Sequence, residues 1–316
     1  MRSLLTSIYT LLLCCLTISS IEAIDQKQIP IVPRKENHSS KREGTLALCG
    51  IFQNEAAYLR EWIEYHRLVG VSHFYLYNNL SNDHYWEVLE PYVNSGVVEL
   101  FEVPFDSRVY QDAAQTHNQV QVHCYNHAIR LARKANKWLA IIDSDEFICP
   151  VKDKSLLTVL KEYDYAKALM VYWQLYGTSS VWDIEPNSLL IEQLVNKFPT
   201  NYGENWLFKT IVQPKYAKCI DPHYCTVSKG KSVIPDHSSF NHKPTFTCPP
   251  VDVIRINHYT FRTESFYHNV KKARRAQWGY VPSPELEKER MDLGNSVTDP
   301  VMHRFVAPLK KKMFGL

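Results

Sequence analysis

The feature that most constrains the fold is a repeated alternation of apolar strands with helices between residues 45 and 142. The run at 45–52, TLALCGIF, is continuously apolar, which is typical of a strand buried on both faces of a parallel sheet. Similar patterns predict three further strands and two further helices, at 73–78, 97–103 and 137–142, and at 85–92 and 118–135. This order predicts an α/β fold with a mostly parallel, Rossmann-like central sheet covered by helices on both faces.

The segment after the first strand is predicted to be an amphipathic helix. Asn54 is of a residue type that caps helix N-termini, and Gly70 is suited to end the helix. Leu59, Trp62, Ile63 and His66 recur at helical spacing and should face the sheet. The polar residues of the other face are expected to contact water: Arg60, Glu61, Glu64 and Arg67.

Polar clusters follow three of the predicted strands, at 53–55, 78–79 and 143–145. The carboxyl ends of parallel strands meet at one edge of a sheet, and ligands of α/β proteins bind there. The sequence therefore predicts one site to which three strand ends contribute.

Asp143 and Asp145 stand two residues apart, so their carboxylates point to the same side of an extended chain. Two hard oxygen donors suit Mg²⁺ or Mn²⁺ that bridges phosphate oxygens. His258 follows a later apolar strand and would complete the metal shell with a neutral nitrogen. The alternative for His258 is a satisfied histidine buried beside Tyr259.

Four ordered motifs resemble glycosyltransferase family 92 (DUF23-like): residues 53–66, 70–81, 143–147 and 256–259. The resemblance extends from about Thr45 to Trp278. It implies a GT-A-like single catalytic domain with an irregular acceptor-side half, a UDP-sugar donor, above all UDP-galactose, and a divalent metal. It also implies that the sugar is transferred to a glycan acceptor with inversion at the anomeric carbon.

The chemistry of individual residues fits these expectations and suggests roles for them. Asp145 would hold the metal, and Asp143 would contact the ribose or the metal. Arg262 stands in Phe261-Arg262-Thr263, where the family commonly has Lys followed by Ser, and an arginine there can still contact the donor phosphates. Three residues are candidates for uridine recognition: Asn54, Glu55 and Asp83. The alternatives are a helix cap for Asn54 and a first-turn partner of the helix dipole for Glu55.

An inverting transfer needs a general base that removes the proton of the acceptor hydroxyl. This base should come from the second half of the chain, opposite the metal site. The candidates are Asp183, Glu185 and Glu192. Asp183 is favoured because the neighbouring Trp182 is suited to stack on a sugar, while a surface or helix-capping carboxylate is the alternative for each.

The first 23 residues contain an uncharged apolar stretch at 4–21, typical of a signal peptide or signal anchor. Either predicts export of the body to a secretory-pathway lumen, a periplasm or the medium, with membrane attachment through 4–21 if it stays uncleaved. A polar linker is expected at 24–44, a catalytic domain at 45–280 and a charged tail at 281–316.

Export would permit disulfides, and the short spacing of Cys219 and Cys225 makes them the favoured local pair. The apolar surroundings of Cys49, Cys124 and Cys149 are those of buried free thiols, which is the alternative to further bridges.

The net charge and the distribution of acidic residues argue against some classes of function. The net charge is +3, and acidic and basic residues are interspersed without a long basic stripe, so a nucleic-acid partner is not expected. The alternatives to a transferase are a secreted carbohydrate-binding protein with a decayed transferase site and a metal-dependent hydrolase. A hydrolase would need a second metal cluster or two opposed carboxylates, whereas the sequence has one dense acidic cluster.

Overall fold

A computed structural model describes residues 29–34, 44–242, 248–277 and 279–316 of the chain. The predicted signal segment and most of the predicted linker lie outside these ranges. One described part of the linker is strand β1 (Val32–Pro33), which pairs antiparallel with residues 101–102. In the described ranges, no helix has the length and apolar character needed to cross a membrane.

The first half of the described chain alternates strands and helices as the sequence predicts. The elements are β2 (Gly44–Phe52), α1 (Ala56–Leu68), β3 (His73–Asn78), α2 (Tyr85–Asn94), β4 (Val98–Glu102), α3 (Ala113–Ala132) and β5 (Asn136–Ile141). Strands β4, β3, β2 and β5 lie side by side and parallel. The segments that follow β2, β3 and β5 therefore share one edge of the sheet.

The second half is less regular and adds strands of both directions. Its elements are β6 (Glu146–Pro150), α4 (Leu156–Lys161), β7 (Ala166–Leu175), α5 (Leu190–Gln193), β8 (Asn196–Lys197), β9 (Phe208–Val212), β10 (Ala217–Cys219), β11 (Cys225–Val227), β12 (Lys231–Val233) and β13 (Ile254–His258). Strand β9 runs antiparallel between β5 and β7 and so joins the two halves.

The described part of the central sheet has the order β1-β4-β3-β2-β5-β9-β7-β13-β6, with β12 beside β7. This mixed, mostly parallel sheet confirms the predicted α/β fold. Strands β6 and β9 have no counterpart among the predicted strands.

The two faces of the sheet carry separate apolar cores because side chains alternate along each strand. In β3, Phe74 packs with Trp62 of α1, whereas Tyr75 packs in the core that contains Tyr125 of α3. Both layers of helices that the sequence predicts are therefore present.

The last part of the chain is helical. Its elements are α6 (Glu264–Phe266), a π-helical turn (Tyr267–Lys271), α7 (Lys272–Gln277), α8 (Pro284–Gly294), β14 (Val297–Thr298) and α9 (Val306–Phe314). Residues 281–316 thus differ from the predicted charged tail. Leu309 is fully buried, and Lys312 lies 2.8 Å from Glu64, because α9 is amphipathic and packs on α1.

Two glutamates of α1 that were expected to contact water are buried instead. Glu64 pairs with Lys312, as described above, and Glu61 accepts hydrogen bonds from the backbone N–H groups of Leu190 (2.8 Å) and Ile191 (3.0 Å). Burial raises the pKa of Glu61 to about 7. Segments far along the chain cover this face of α1, and the local helical pattern carries no sign of them.

His66 faces the core as predicted and is satisfied there. Its Nε2 accepts a hydrogen bond from the backbone N–H of Ile148 (3.2 Å), and its Nδ1 lies 2.8 Å from the carbonyl oxygen of Trp62. Burial lowers the pKa of His66 to about 3, so the ring is neutral and ties α1 to β6.

The predicted disulfide between Cys219 and Cys225 is present and closes the hairpin of β10 and β11. Cys49, Cys124 and Cys149 are buried free thiols. This agrees with the alternative interpretation, in which apolar surroundings indicate buried free thiols.

Candidate functional site

The site is centred on the turn between β5 and β6, at the carboxyl edge of the parallel strands. The turn carries Asp143 and Asp145, and the backbone N–H of Glu146 donates to the carbonyl oxygen of Asp143 at 3.2 Å. Both carboxylates are partly buried, with exposed side-chain fractions of 31% for Asp143 and 16% for Asp145.

Asp143 is held by a lysine from the second half of the chain. Its Oδ2 lies 2.8 Å from Nζ of Lys209 on β9, and its Oδ1 accepts a hydrogen bond from the Tyr125 hydroxyl at 3.2 Å. Burial alone would raise the pKa of Asp143, but the Lys209 ammonium outweighs it and holds that pKa below its ordinary value. The same pair raises the pKa of Lys209, whose side chain is only 1% exposed.

Lys209 is a site residue that the sequence patterns did not reveal. The available signal is one lysine in the otherwise apolar or β-branched strand FKTIV. The sequence alone does not show that this lysine reaches the site. Its position beside the end of β5 follows from the antiparallel pairing of β9 with β5.

Asp145 faces the end of β13 and the π-helical turn. Its Oδ1 lies 3.4 Å from Nε2 of His258, and its Oδ2 lies 3.8 Å from Nζ of Lys271. Burial raises the pKa of Asp145, but His258, Lys271 and Arg262 together lower it far below its ordinary value. Asp145 is therefore ionised.

His258 is not a fully satisfied core histidine. Its Nδ1 is buried and has no hydrogen-bond partner among the described residues, while its ring packs edge-on against Trp173 at 4.3 Å. His258 is buried, as the alternative interpretation expects, but its Nδ1 is not paired there.

Glu146 is a further acidic group that the sequence analysis did not select. Its side chain is fully buried, and Oε2 accepts a hydrogen bond from the backbone N–H of Asp143 at 2.8 Å. Burial, together with Asp143 and Asp145, raises the pKa of Glu146 well above its ordinary value, although Lys209 opposes this. Glu146 therefore supports the turn through this hydrogen bond.

The predicted metal set of Asp143, Asp145 and His258 is only partly assembled. Asp145 and His258 converge, whereas Asp143 is directed to Lys209. Within the described ranges, no three His, Cys, Asp or Glu side chains are grouped to hold a metal ion. One carboxylate and one imidazole fit a Mn²⁺ or Mg²⁺ ion that takes its other ligands from a diphosphate and water, and they do not fit a cage made of protein groups alone.

Glu55 and Arg262, predicted to bind uridine and phosphate, form a buried ion pair with each other. Arg274 of α7 also reaches Glu55, with 3.0 Å between Nη1 and Oε1. The guanidinium carbon of Arg262 lies 3.9 Å from the centre of the Tyr58 ring, and its Nη1 has no hydrogen-bond partner among the described residues. The Glu55 carboxylate therefore fixes two cationic side chains beside the acidic turn.

Asn54 and Asp83 connect the loops that follow β2 and β3. Asn54 Oδ1 accepts a hydrogen bond from the backbone N–H of Asn82 at 2.8 Å, and the N-cap residue of α1 is Glu55, whose side chain makes no capping hydrogen bond. Asp83 supplies the missing cap, since its Oδ2 accepts from the backbone N–H of Ala56 at 2.8 Å. Both residues lie at the predicted sheet edge, and their role in uridine recognition stays a prediction.

The candidate bases lie in a different environment. Asp183 is exposed and accepts a hydrogen bond from the Ser265 hydroxyl, and Trp182 beside it is 60% exposed. The Trp182 ring stacks at 6.5 Å on His268, which shares the π-helical turn with Lys271. This turn therefore connects the loop of Asp183 to Asp145.

The other two candidate bases differ from each other. Glu185 is exposed. Glu192 lies 2.9 Å from Lys310 and accepts a hydrogen bond from the backbone N–H of Leu189 at 3.2 Å, so it stabilises the start of α5. The geometry gives Glu192 a structural partner, whereas Asp183 and Glu185 remain open to solvent.

The disulfide hairpin covers the site from one side. The residues between its two cysteines contact β9: Lys209 Nζ donates to the carbonyl oxygen of Pro222 at 3.3 Å, and the Thr210 hydroxyl donates to that of His223 at 2.8 Å. Burial and the nearby Lys209 lower the pKa of His223 to about 4. The hairpin therefore keeps Lys209 away from water.

Comparison with known proteins gives one family. The model of "Glycosyltransferase family 92" matches residues 42–277. A family 92 protein of Oryza sativa subsp. japonica is 31% identical over 132 residues, which are 42% of this chain and 21% of that protein. A family 92 protein of Arabidopsis thaliana is 27% identical over 171 residues, 51% of this chain and 28% of that protein. The matches thus span less than a third of the length of these relatives.

Two solved structures are also similar in part. S. aureus TarS 1-349 in complex with UDP-GlcNAc gives a TM-score of 0.38 at 10% identity, covering 85% of this chain and 76% of that chain. Glucosyl-3-phosphoglycerate synthase from Mycobacterium tuberculosis, in complex with Mn²⁺, UDP and glucosyl-3-phosphoglycerate, gives a TM-score of 0.27 at 14% identity, covering 42% and 45% of the two chains.

Proposed function

Since this chain belongs to glycosyltransferase family 92, we propose that it transfers a hexose, galactose in the first instance, from a UDP-sugar to a glycan acceptor with inversion. One observation carries the proposal. The ionised Asp145 and the incompletely bonded His258 face each other at the sheet edge, 3.4 Å apart, where ligands of α/β proteins bind.

The charges around this pair support a diphosphate as the ligand. Lys271 lies 3.8 Å from Asp145, and Arg262 and Arg274 are held nearby by Glu55. Guanidinium groups fixed in this way bind phosphate oxygens without a further loss of side-chain freedom. In the proposed complex, Lys271 and Arg262 would contact the diphosphate and stabilise it as it leaves.

Asp145 and His258 would hold a Mn²⁺ or Mg²⁺ ion in this proposal. When bound, such an ion offsets the negative charge that develops on the leaving diphosphate. Asp143, which Lys209 holds away from His258, would instead accept a hydrogen bond from the ribose. Glu146, which accepts a hydrogen bond from the backbone N–H of Asp143, keeps the turn in place for both.

The acceptor would approach from the loop of residues 177–187. Trp182 is exposed and is suited to stack on the apolar face of a sugar. Asp183 is the proposed general base, and the Ser265 hydroxyl that donates to it would set the direction of its carboxylate. The disulfide between Cys219 and Cys225 supports an exported location for this reaction.

A donor screen tests the proposal directly. The purified chain is incubated with several nucleotide sugars, Mn²⁺ and a mixture of complex glycans, and the released nucleoside diphosphate is measured. We expect UDP release with UDP-galactose, dependent on the acceptor and abolished by EDTA. Glycan binding without release from any donor would instead favour a carbohydrate-binding protein, and release from a non-uridine donor would contradict the proposed donor.

A further inference from the structure

A cavity lies on the outer side of the disulfide hairpin, away from the acidic turn. Its volume is about 340 Å³, within the range of small-ligand pockets. The charged and polar groups that line it are Arg133, Lys215, Tyr216, Lys218, Thr226 and Ser228. These residues come from the end of α3 and from both strands of the hairpin and their flanks.

Five cationic side chains lie in this region, either lining the cavity or beside the Tyr216 ring that also lines it. Arg133, Lys215 and Lys218 line the cavity itself. The ammonium groups of Lys167, Lys215 and Lys229 lie 5.3, 5.9 and 5.4 Å from the centre of the Tyr216 ring. We call these five cations and Tyr216 the basic pocket.

The charge of the basic pocket is not compensated within the described structure. No ion pair joins any of its five cations to a carboxylate among the described residues. Five positive charges exceed the net charge of the whole chain, +3, so the rest of the molecule is net acidic. Like charges concentrated in one region repel one another, and a bound anion relieves that repulsion.

The sequence does not reveal this pocket because its cations come from four separate segments. Gly230 shows how closely they pack: its φ is +89°, and a side chain added there would lie 2.4 Å from Cγ of Lys167. The fold therefore assembles a basic surface from a chain that has no basic stripe.

The same hairpin joins the basic pocket to the proposed transfer site. Lys218 and Thr226 stand opposite each other in β10 and β11 and line the pocket. Pro222 and His223, between the two cysteines, contact Lys209 and Thr210 at the acidic turn. A molecule bound in the basic pocket is therefore held by the same hairpin that contacts β9 at the acidic turn.

We propose that the basic pocket binds an anionic glycan, one that carries carboxylate or sulfate groups, and so retains the acceptor or its carrier near the transfer site. The inference rests on the proposed function for its choice of a glycan. The lysines and Arg133 supply partners for the anionic groups, and Tyr216 supplies an aromatic surface for a sugar ring. A cavity of this size suits one or two sugar units, whereas a bilayer would need an open surface with apolar side chains that enter the lipid.

Calorimetric titration with a chondroitin sulfate tetrasaccharide in 0.1 M NaCl tests the inference. We expect measurable binding that weakens as salt is raised to 0.5 M. The variant Lys215→Glu/Lys218→Glu should lower the affinity on the order of tenfold or more, since like charges now face the ligand. Tyr216→Leu should lower the affinity less, and the matched control Lys152→Glu/Lys154→Glu, with the same charge change on another exposed segment, should bind as the wild type does.

Several outcomes would overturn the inference. They are unchanged affinity in Lys215→Glu/Lys218→Glu, equal binding of an uncharged tetrasaccharide, and equal or tighter binding of vesicles with anionic lipid or of a single-stranded oligonucleotide. UDP binding with Mn²⁺ is measured on the same samples and separates the two proposals. Absent tetrasaccharide binding in the wild type, with intact UDP binding, refutes the basic pocket alone, whereas absent UDP binding in the wild type refutes the proposed function.

Discussion

The carboxylates at the ends of the parallel strands differ sharply from those of the loop at 177–187. Asp143, Asp145 and Glu55 are partly or fully buried, and each contacts a cation from the second half of the chain. Asp183 and Glu185 are exposed. Burying charges is costly, so a concentration of paired, buried charges indicates a preorganised site, here on the proposed donor side. The acceptor side, by contrast, is left open.

A buried acid that has no cation partner keeps a raised pKa, as Glu61 shows. Among the described residues, Glu61 accepts hydrogen bonds only from backbone N–H groups, and burial raises its pKa to about 7. In Asp145, nearby cations instead lower the pKa despite burial. The cations supplied by the second half of the chain therefore determine which of the buried carboxylates are ionised at neutral pH.

The largest effect is expected at Asp183, on the exposed side of the proposed site. Asp183→Asn should lower turnover on the order of 10² to 10⁴-fold, because a general base is lost. UDP affinity and stability should change little, since Asp183 is exposed and does not contact the proposed diphosphate site. Steady-state kinetics and UDP titration on the same preparation measure both.

Glu185→Gln and Glu192→Gln are the matched controls for this variant. We expect Glu192→Gln to affect mainly stability, through its contact with Lys310. Near-normal turnover in Asp183→Asn, together with a collapse in Glu192→Gln, would transfer the role of base to Glu192.

The next largest effect is expected for the buried ion pair of Lys209 and Asp143 on the proposed donor side. Lys209→Met should lower the free energy of unfolding by roughly 3 kcal/mol, the lower end of the range for breaking a buried ion pair. The lower end applies because the Asp143 side chain keeps 31% exposure. Urea unfolding followed by circular dichroism measures the change.

The double variant Lys209→Met/Asp143→Asn should recover part of that loss, because the uncompensated carboxylate is then removed. A loss below about 1 kcal/mol in Lys209→Met would mean that the pair is not a strong stabilising contact, and the contrast with the loop carboxylates would fail.

The regular half of the fold could be predicted because its signals are local. The strand at 73–78 has the bounds that the sequence predicts, and the apolar run TLALCGIF lies within β2. The position of Asp143 and Asp145 at a strand end follows from the same pattern, since β5 stops at Ile141.

The partners of these acids could not be predicted because they are distant in sequence. Lys209 is 66 residues from Asp143, and Arg274 is 219 residues from Glu55. Asp183 carries no local signal that separates a base from a surface carboxylate. Antiparallel insertion of β9 and packing of the C-terminal helices on α1 decide these contacts, and both depend on the whole fold.

The pH dependence of stability sharpens the contrast between paired and unpaired buried acids. The folded pKa of Glu61, about 7, lies above its ordinary value of 4.5. Its contribution to stability is therefore fully present below pH 4.5 and is lost as the pH rises through 7. The unfolding free energy of the wild type relative to Glu61→Gln should fall by about 2 to 3 kcal/mol between pH 4.5 and pH 8.

Comparison with Glu61→Gln cancels the other titrating groups, among them His66, whose lowered pKa acts in the opposite direction as the pH falls below 6.5. A difference between the two proteins that stays constant across this pH range would show that Glu61 is ionised throughout.

The smallest effect is expected where an ion pair is exposed. Asp164 pairs with Lys137 at 2.6 Å, and both side chains are nearly half exposed. Asp164→Asn should change the unfolding free energy by less than about 0.5 kcal/mol and leave UDP binding intact. A larger loss would show that exposure does not distinguish the two kinds of carboxylate in this protein.

The central claim is that Asp145 and His258 form the metal-dependent donor site, and UDP titration by calorimetry in the presence and absence of Mn²⁺ tests it most directly. We predict that the wild type and the control Asp164→Asn bind UDP more tightly with Mn²⁺. Asp145→Asn should lose this gain while it keeps its fold, since its side chain lies at a strand end outside the apolar core. Unchanged Mn²⁺-dependent UDP binding in Asp145→Asn would contradict the assignment of the site.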